Sequence, residues 1–271
     1  MENPLEIHGT PKMVNPTLIV GWQVRDAGKI GSEVIDFLNE KLGGHQVSEI
    51  SPLDFFPFEA IGFRDDVIQV PEDRFWACEG ENLLLFRGDE PRFEWYEFLN
   101  AMLDLAEYHF QAKQVYTVGG TVSLIAHTAP RRLLAVFNQE GLSEELLDHG
   151  VEKMDYEGPP AMSSYLLWVA KKRRIPGISL WPQVPFYLAA TRDLTAVRAT
   201  LSLLNWEFDL SLDLEELDLE AKAQHERLAL LREVKPEIDE YMGMLEKGLS
   251  LDREAQMKLT KAVHEFLEGR G

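Results

Sequence analysis

The run Thr17-Leu18-Ile19-Val20-Gly21-Trp22 decides the fold class, together with the helical stripe behind it. It is short, apolar and rich in β-branched residues, and it stops at a glycine, so it reads as a buried strand. After it Ile30, Val34, Phe37, Leu38 and Leu42 recur at three- and four-residue spacings, the stripe of an amphipathic helix, and Gly43-Gly44 ends that stripe. The same alternation continues. Val47 to Ile50, Val67 to Val70, Arg74 to Cys78, Leu83 to Phe86, Val115 to Val118, Leu133 to Phe137 and Gly177 to Leu180 are strand-like. Pro91 suits the first turn of a helix running to about Phe110, and Ala161 to Val169 reads as a buried helix. Strand, helix, strand in this order predicts crossover connections and an α/β fold: a three-layer α/β/α sandwich on a mixed, mostly parallel sheet. Phe75 to Phe86, turning through Glu79-Gly80-Glu81, reads as an antiparallel hairpin within it.

The texture changes near Trp206. Residues 1–206 form the expected α/β domain, and 207–271, dominated by Leu, Glu, Lys and Arg, an acidic helical extension that either packs on the core or projects from it. Pro236 starts one of its helices, Gly248 stops it, and Ser250 is placed to cap the last.

The formal charge of −19 over 271 residues repels phosphate backbones and anionic lipid, which sets aside nucleic-acid and membrane-surface roles. Lys171-Lys172-Arg173-Arg174 is the local exception; it ends a helical stretch, where cations complement the last carbonyls. Cys78 is alone, so no intrachain disulfide forms. The amino terminus lacks the pattern of a signal peptide, and no apolar run approaches the roughly 20 residues that span a bilayer. A cytoplasmic protein is expected.

Templates for chemistry fail one after another. Gly21, Gly28 and Gly31 do not match a dinucleotide fingerprint, and Gly28-Lys29-Ile30 lacks the hydroxyl of a phosphate loop. Ser123 with His127 four residues on has no marked acid partner. The seven histidines show no His-x-x-x-His spacing, none has a cysteine partner, and His8 falls in the amino-terminal tail, so spacing predicts no metal centre and no cofactor. Asp89-Glu90 could do acid–base work or complement the dipole of the helix after Pro91.

What remains is a location. Gly21-Trp22, Asp89-Glu90, Gly119-Gly120 with His127, and Trp181-Pro182 each come after a strand, and carboxyl ends of parallel strands line the ligand crevice of open sheets. Candidate crevice residues are Gly21, Trp22, Asp89, Glu90, Gly119, Gly120, His127, Glu157 and Gly158. Phe55, Phe56, Phe58, Trp181, Pro185, Phe186 and Tyr187 are candidate interface residues, or else fold back on their own core, because proline-interrupted aromatics are costly to leave in water.

These same segments, with Leu18 to Trp22, Gly28 to Gly31, Gly88 to Pro91, His127-Thr128-Ala129-Pro130, Glu157-Gly158-Pro159 and Leu180 to Tyr187, resemble the PAC2 family of proteasome-assembly-chaperone-2-like proteins, in its prokaryotic branch. The resemblance covers roughly Thr17 to Asn205. It implies a phosphorylase/hydrolase-like α/β/α sandwich, a homo-oligomer and a protein-binding, chaperone-like role with no established activity. Proteasome subunits are the partners it suggests. Some archaeal relatives dock through a C-terminal hydrophobic-Tyr-any tail, which Glu268-Gly269-Arg270-Gly271 does not supply. The competing reading is a binder of, or enzyme acting on, a nucleoside or small anion, with Glu90, His127 and Glu157 as its polar groups.

Overall fold

The computed structural model describes residues 4–52, 54–64, 67–156 and 160–269. Its strands are β1 (Leu5–Ile7), β2 (Thr17–Trp22), β3 (His45–Ile50), β4 (Gly62–Arg64), β5 (Val67–Gln69), β6 (Asp73–Cys78), β7 (Leu83–Gly88), β8 (Gln114–Val118), β9 (Thr121–Ser123), β10 (Leu133–Phe137), β11 (Glu152–Lys153) and β12 (Gly177–Pro185). Its α-helices are α1 (Ile30–Lys41), α2 (Trp95–Asp104), α3 (Glu144–Asp148), α4 (Met162–Lys172), α5 (Leu194–Glu207), α6 (Glu215–Val234), α7 (Pro236–Glu246) and α8 (Arg253–Leu267). None of the described helices is long and apolar enough to cross a membrane. The chain folds as two compact units, the first made of Met1–Arg25, Gly31–Val118 and Ala135–Leu180, the second of Asp26–Ile30, Gly119–Leu134 and Trp181–Gly271.

The first unit is built on a mixed sheet in the order β1-β3-β6-β7-β2-β8-β12-β10-β11. Its centre is parallel: β2 pairs with β7 from Thr17 opposite Leu83 to Trp22 opposite Gly88, and with β8 on its other side. The flank β1-β3-β6-β7 is antiparallel, and β6 with β7 is the predicted hairpin. The run from Thr17 is buried on both faces, as a central parallel strand must be. One face carries Leu18, Val20, Phe75, Leu84 and Phe86 against Phe98, Met102, Leu166 and Val169 of α2 and α4. On the other, α1 lies so close that a side chain at Gly21 would collide with the Gly31 carbonyl and Ile35. Helices therefore cover both faces, giving the α/β layering read from the sequence.

Some boundaries differ from expectation. Val67 to Val70 does not join the main sheet; β5 pairs only with β4 in a two-stranded ribbon. Helix α2 begins at Trp95 rather than at Pro91, because Arg92 and Phe93 give their N–H groups to the Phe55 carbonyl and Glu94 adopts a left-handed backbone. The buried stripe of α1 runs through Ile35, while Phe37 is only partly buried, with Lys41 over its ring.

In the second unit β9 pairs with residues 183–185 of β12, which continues beyond the Leu180 end expected for it. Asp193 caps α5 by accepting the Ala196 N–H, and Leu194, Val197, Leu201 and Leu204 form its buried stripe. Helix α6 packs on α5, α7 and α8, and α8 packs on the turn Phe186–Leu188. The helices after Glu207 are therefore integral to this unit. Asp252, not Ser250, caps the last of them.

Candidate functional site

In the first unit the parallel pairing of β2 with β7 sets Trp22 opposite Gly88, and so gathers Gly21, Trp22, Asp89 and Glu90 at the carboxyl ends of two adjacent strands. Trp22 is a core residue, edge-on to Phe86 at 5.6 Å between ring centroids, and its Nε1 has no hydrogen-bond partner among the described residues. Asp89 and Glu90 are half-buried. Burial raises both carboxyl pKa values; Arg87 and Arg92 oppose the rise at Asp89, Arg25 and Arg92 at Glu90.

The structure adds Asp73, which sequence reasoning passed over as an acid flanking a strand. It starts β6, is 1% exposed and lies against Gly88, where any side chain would collide with its Oδ1. That oxygen accepts the Asp89 N–H at 2.8 Å, while Oδ2 has no partner among the described residues. Burial pushes its pKa up to about 8, so near neutrality Asp73 is a protonated carboxylic acid able to donate a hydrogen bond. Only the strand pairing that places Asp73 beside Gly88 reveals this; no local signal marks it. Glu157 and Gly158 lie outside the described residues.

Gly119, Gly120 and His127 belong to the second unit. Gly119 lies under the ring of Trp181, and Gly120 lies against the Ala27 carbonyl, a close approach of two backbones. His127 is 3% exposed. Its N–H donates to the Tyr187 hydroxyl at 2.5 Å, and its Nδ1 sits 2.9 Å from the same oxygen. With the hydroxyl donating to Nδ1, the ring proton is assigned to Nε2. Burial lowers the His127 pKa to about 4, helped by His225, whose ring is 5.5 Å away, and by Arg131 and Arg232. His225 is lowered for the same reason and lies 3.1 Å from the Thr195 hydroxyl.

Arg131 fixes this loop. Its Nε and one terminal nitrogen donate to the two oxygens of Asp193 at 2.8 and 3.2 Å, and the other terminal nitrogen donates to the carbonyls of Ala129 and His127. Both side chains are fully buried. Thr128 adds a bond to Glu246, which Arg232 holds at 2.6 Å. Ser123 donates to the Thr121 carbonyl, while the His127 Nδ1 is engaged by Tyr187. A neutral histidine inside a satisfied ion-pair network orders the 127–131 turn against α5. It is poorly suited to take up a proton near neutral pH.

The expected interface aromatics turn inward. Phe55 is 3% exposed and edge-on to Phe98 at 5.1 Å, and Phe56 packs on the same core. Pro185 and Tyr187 are buried; Trp181 and Phe186 are half-buried. The side chain of Phe58 lies outside the described residues. Burial against their own unit satisfies these rings without a partner.

A cluster of exposed aromatics lies elsewhere in the first unit. Trp95 and Tyr96 of α2 meet Tyr165 and Trp168 of α4, with Trp95 4.6 Å from Tyr165 and Tyr96 6.1 Å from Trp168. All four are 37–45% exposed, and Lys172 stands 3.9 Å over the Trp168 ring. The signal was present in the spacing: each pair falls outside its helix's inward stripe, Phe98 and Met102 in α2, Leu166 and Val169 in α4.

Known structures share this fold. A PAC2 family protein from Streptomyces avermitilis superposes with a TM-score of 0.72 at 25% identity, covering 83% of this chain and 99% of that one. The Mycobacterium tuberculosis proteasome-assembly chaperone homologue Rv2125 gives 0.72 at 20% identity, covering 83% and 99%. Pyrococcus furiosus PbaB, an archaeal proteasome activator, gives 0.69 at 25% identity, covering 85% and 97%. No curated protein sequence is detectably similar to the chain. The sequence matches the PAC2 family over residues 18–232, which is most of its length, and the chain belongs to that family.

Proposed function

We propose that this PAC2 protein is a homo-oligomeric, assembly-chaperone-like protein that binds other proteins, and that the aromatic face of α2 and α4 is its contact surface. The observation behind this is the set Trp95, Tyr96, Tyr165 and Trp168, four large rings in edge-on and tilted contact with about two-fifths of their surface in water. Tryptophan and tyrosine are the side chains that anchor protein interfaces, and contiguous exposed aromatic surface is unfavourable until covered. The descriptions of PbaB as a proteasome activator and of Rv2125 as an assembly-chaperone homologue support the same class of role, with proteasome subunits as partners in addition to a second copy of the chain. Multi-angle light scattering tests the reading. The wild type elutes as an oligomer, and Trp95→Asp with Trp168→Asp reduces it to a single chain with unchanged circular dichroism. A wild type that is monomeric, or a variant of unaltered size, contradicts it.

A second reading rests on Asp73. A buried protonated acid and an unpartnered indole N–H at the carboxyl ends of parallel strands is an arrangement that small-ligand sites use. On this reading a nucleoside or small anion raises the melting temperature of the wild type but not of Trp22→Phe; a screen of such compounds without any shift counts against it.

A further inference from the structure

Spacing along the chain shows no metal-binding pattern, but strand pairing creates one. β1 pairs antiparallel with β3, setting Glu6 opposite Glu49, while His8 continues the strand by donating its N–H to the Val47 carbonyl. Among the described residues, Glu6, His8 and Glu49 are one group whose ligating atoms all lie within 4.8 Å of one another. Nε2 of His8 is 3.9 Å from Oε1 of Glu49.

Two further observations favour a cation there. Carboxylates directly opposite on neighbouring strands repel each other, and this pair occupies the edge of the sheet, where β1 has only three residues of pairing to hold it. Glu49 is also oriented: Gln46 donates to its Oε2 at 2.9 Å, which leaves Oε1 turned toward the imidazole. Metal-ligating carboxylates are commonly held by an outer hydrogen bond of this kind.

We propose that Glu6, His8 and Glu49 bind a zinc ion that fastens the edge strand β1 to β3. One imidazole nitrogen and two carboxylate oxygens are zinc donors, and three protein ligands leave a fourth position for water. Donors about 2.0–2.2 Å from a tetrahedral zinc lie a little more than 3 Å apart, so the site closes on the ion by small rotations of exposed side chains.

The test is calorimetric titration of the full chain with zinc chloride, paired with hydrogen exchange at β1. One-to-one binding is expected, with slower exchange of the β1 amides when zinc is present. His8→Ala and Glu49→Gln each weaken binding by at least about tenfold, and Gln46→Leu by less, while His45→Ala, on the same strand but beside Glu79, has no effect. The replaced residues are partly or fully exposed, so the variants keep the fold, which circular dichroism checks. Absence of one-to-one binding overturns the proposal. So does zinc affinity that His8→Ala and Glu49→Gln leave unchanged, or that His45→Ala reduces equally.

Discussion

In the second unit Arg131 and Asp193 are fully buried, and each carboxylate oxygen receives a guanidinium nitrogen, one of them a backbone N–H as well. In the first unit Asp73 is buried as deeply, yet one oxygen is satisfied by a single backbone N–H and the other by nothing among the described residues. The two respond differently to the same cost. The paired side chains form a clamp, whereas the under-paired acid gives up its charge and keeps its proton to about pH 8. The clamp orders a turn; the lone acid makes its unit sensitive to pH.

The largest expected effect comes from breaking the clamp. Asp193→Ala strands Arg131 as an uncompensated buried cation and removes the cap of α5, costing about 3–5 kcal/mol in chemical denaturation. A loss under about 1 kcal/mol would show that the ion pair is not holding this turn.

Asp73→Asn acts in the opposite sense. The folded chain keeps the Asp73 proton where the unfolded chain has lost it, so wild-type stability falls as pH rises from about 4 to about 8. Asparagine removes that fall, so the variant matches the wild type near pH 4 and becomes progressively more stable than it toward pH 8, by several kcal/mol. Parallel denaturation curves at all pH values would mean that Asp73 is ionised in the folded state.

Tyr187→Phe leaves the buried His127 N–H without its acceptor and costs about 1–2 kcal/mol by thermal melting. The last effect is confined to acid and vanishes at neutral pH. Because the His127 pKa is lowered to about 4, the unfolded chain binds a proton that the folded one refuses, and stability drops as pH falls from 6.5 toward 4. His127→Asn makes that limb shallower, with His225 and Glu246 among the groups that contribute to what remains; an unchanged limb would remove His127 from the acid response.

Much of the fold was legible. The strand from Thr17, the hairpin through Glu79-Gly80-Glu81 and the inward stripes of α2 and α4 come from local pattern, because each is one periodicity facing one core. What escaped is set by partners distant in sequence. Pro91 looked like a helix start until the Phe55 carbonyl took the next two N–H groups. Phe55 was an interface candidate until it met Phe98, and Asp73 carried no signal until β7 placed Gly88 beside it. His8 looked like tail until β1 paired with β3. Of the site, the sequence identified His127 and Asp89-Glu90 but not the residues that shift their proton affinities, since those shifts come mainly from burial.

If the α2 and α4 aromatics are the proposed contact surface, an assembly must cover them. Hydroxyl-radical footprinting of the native protein measures that cover, with Tyr108 at 70% exposure as an internal standard. Trp95, Tyr96, Tyr165 and Trp168 are predicted to be oxidised far more slowly than their exposure in the single chain dictates. In the Trp95→Asp and Trp168→Asp backgrounds the remaining rings regain that rate. Oxidation of all four in the wild type in proportion to their exposure, with Tyr108 as reference, would mean that nothing covers this face.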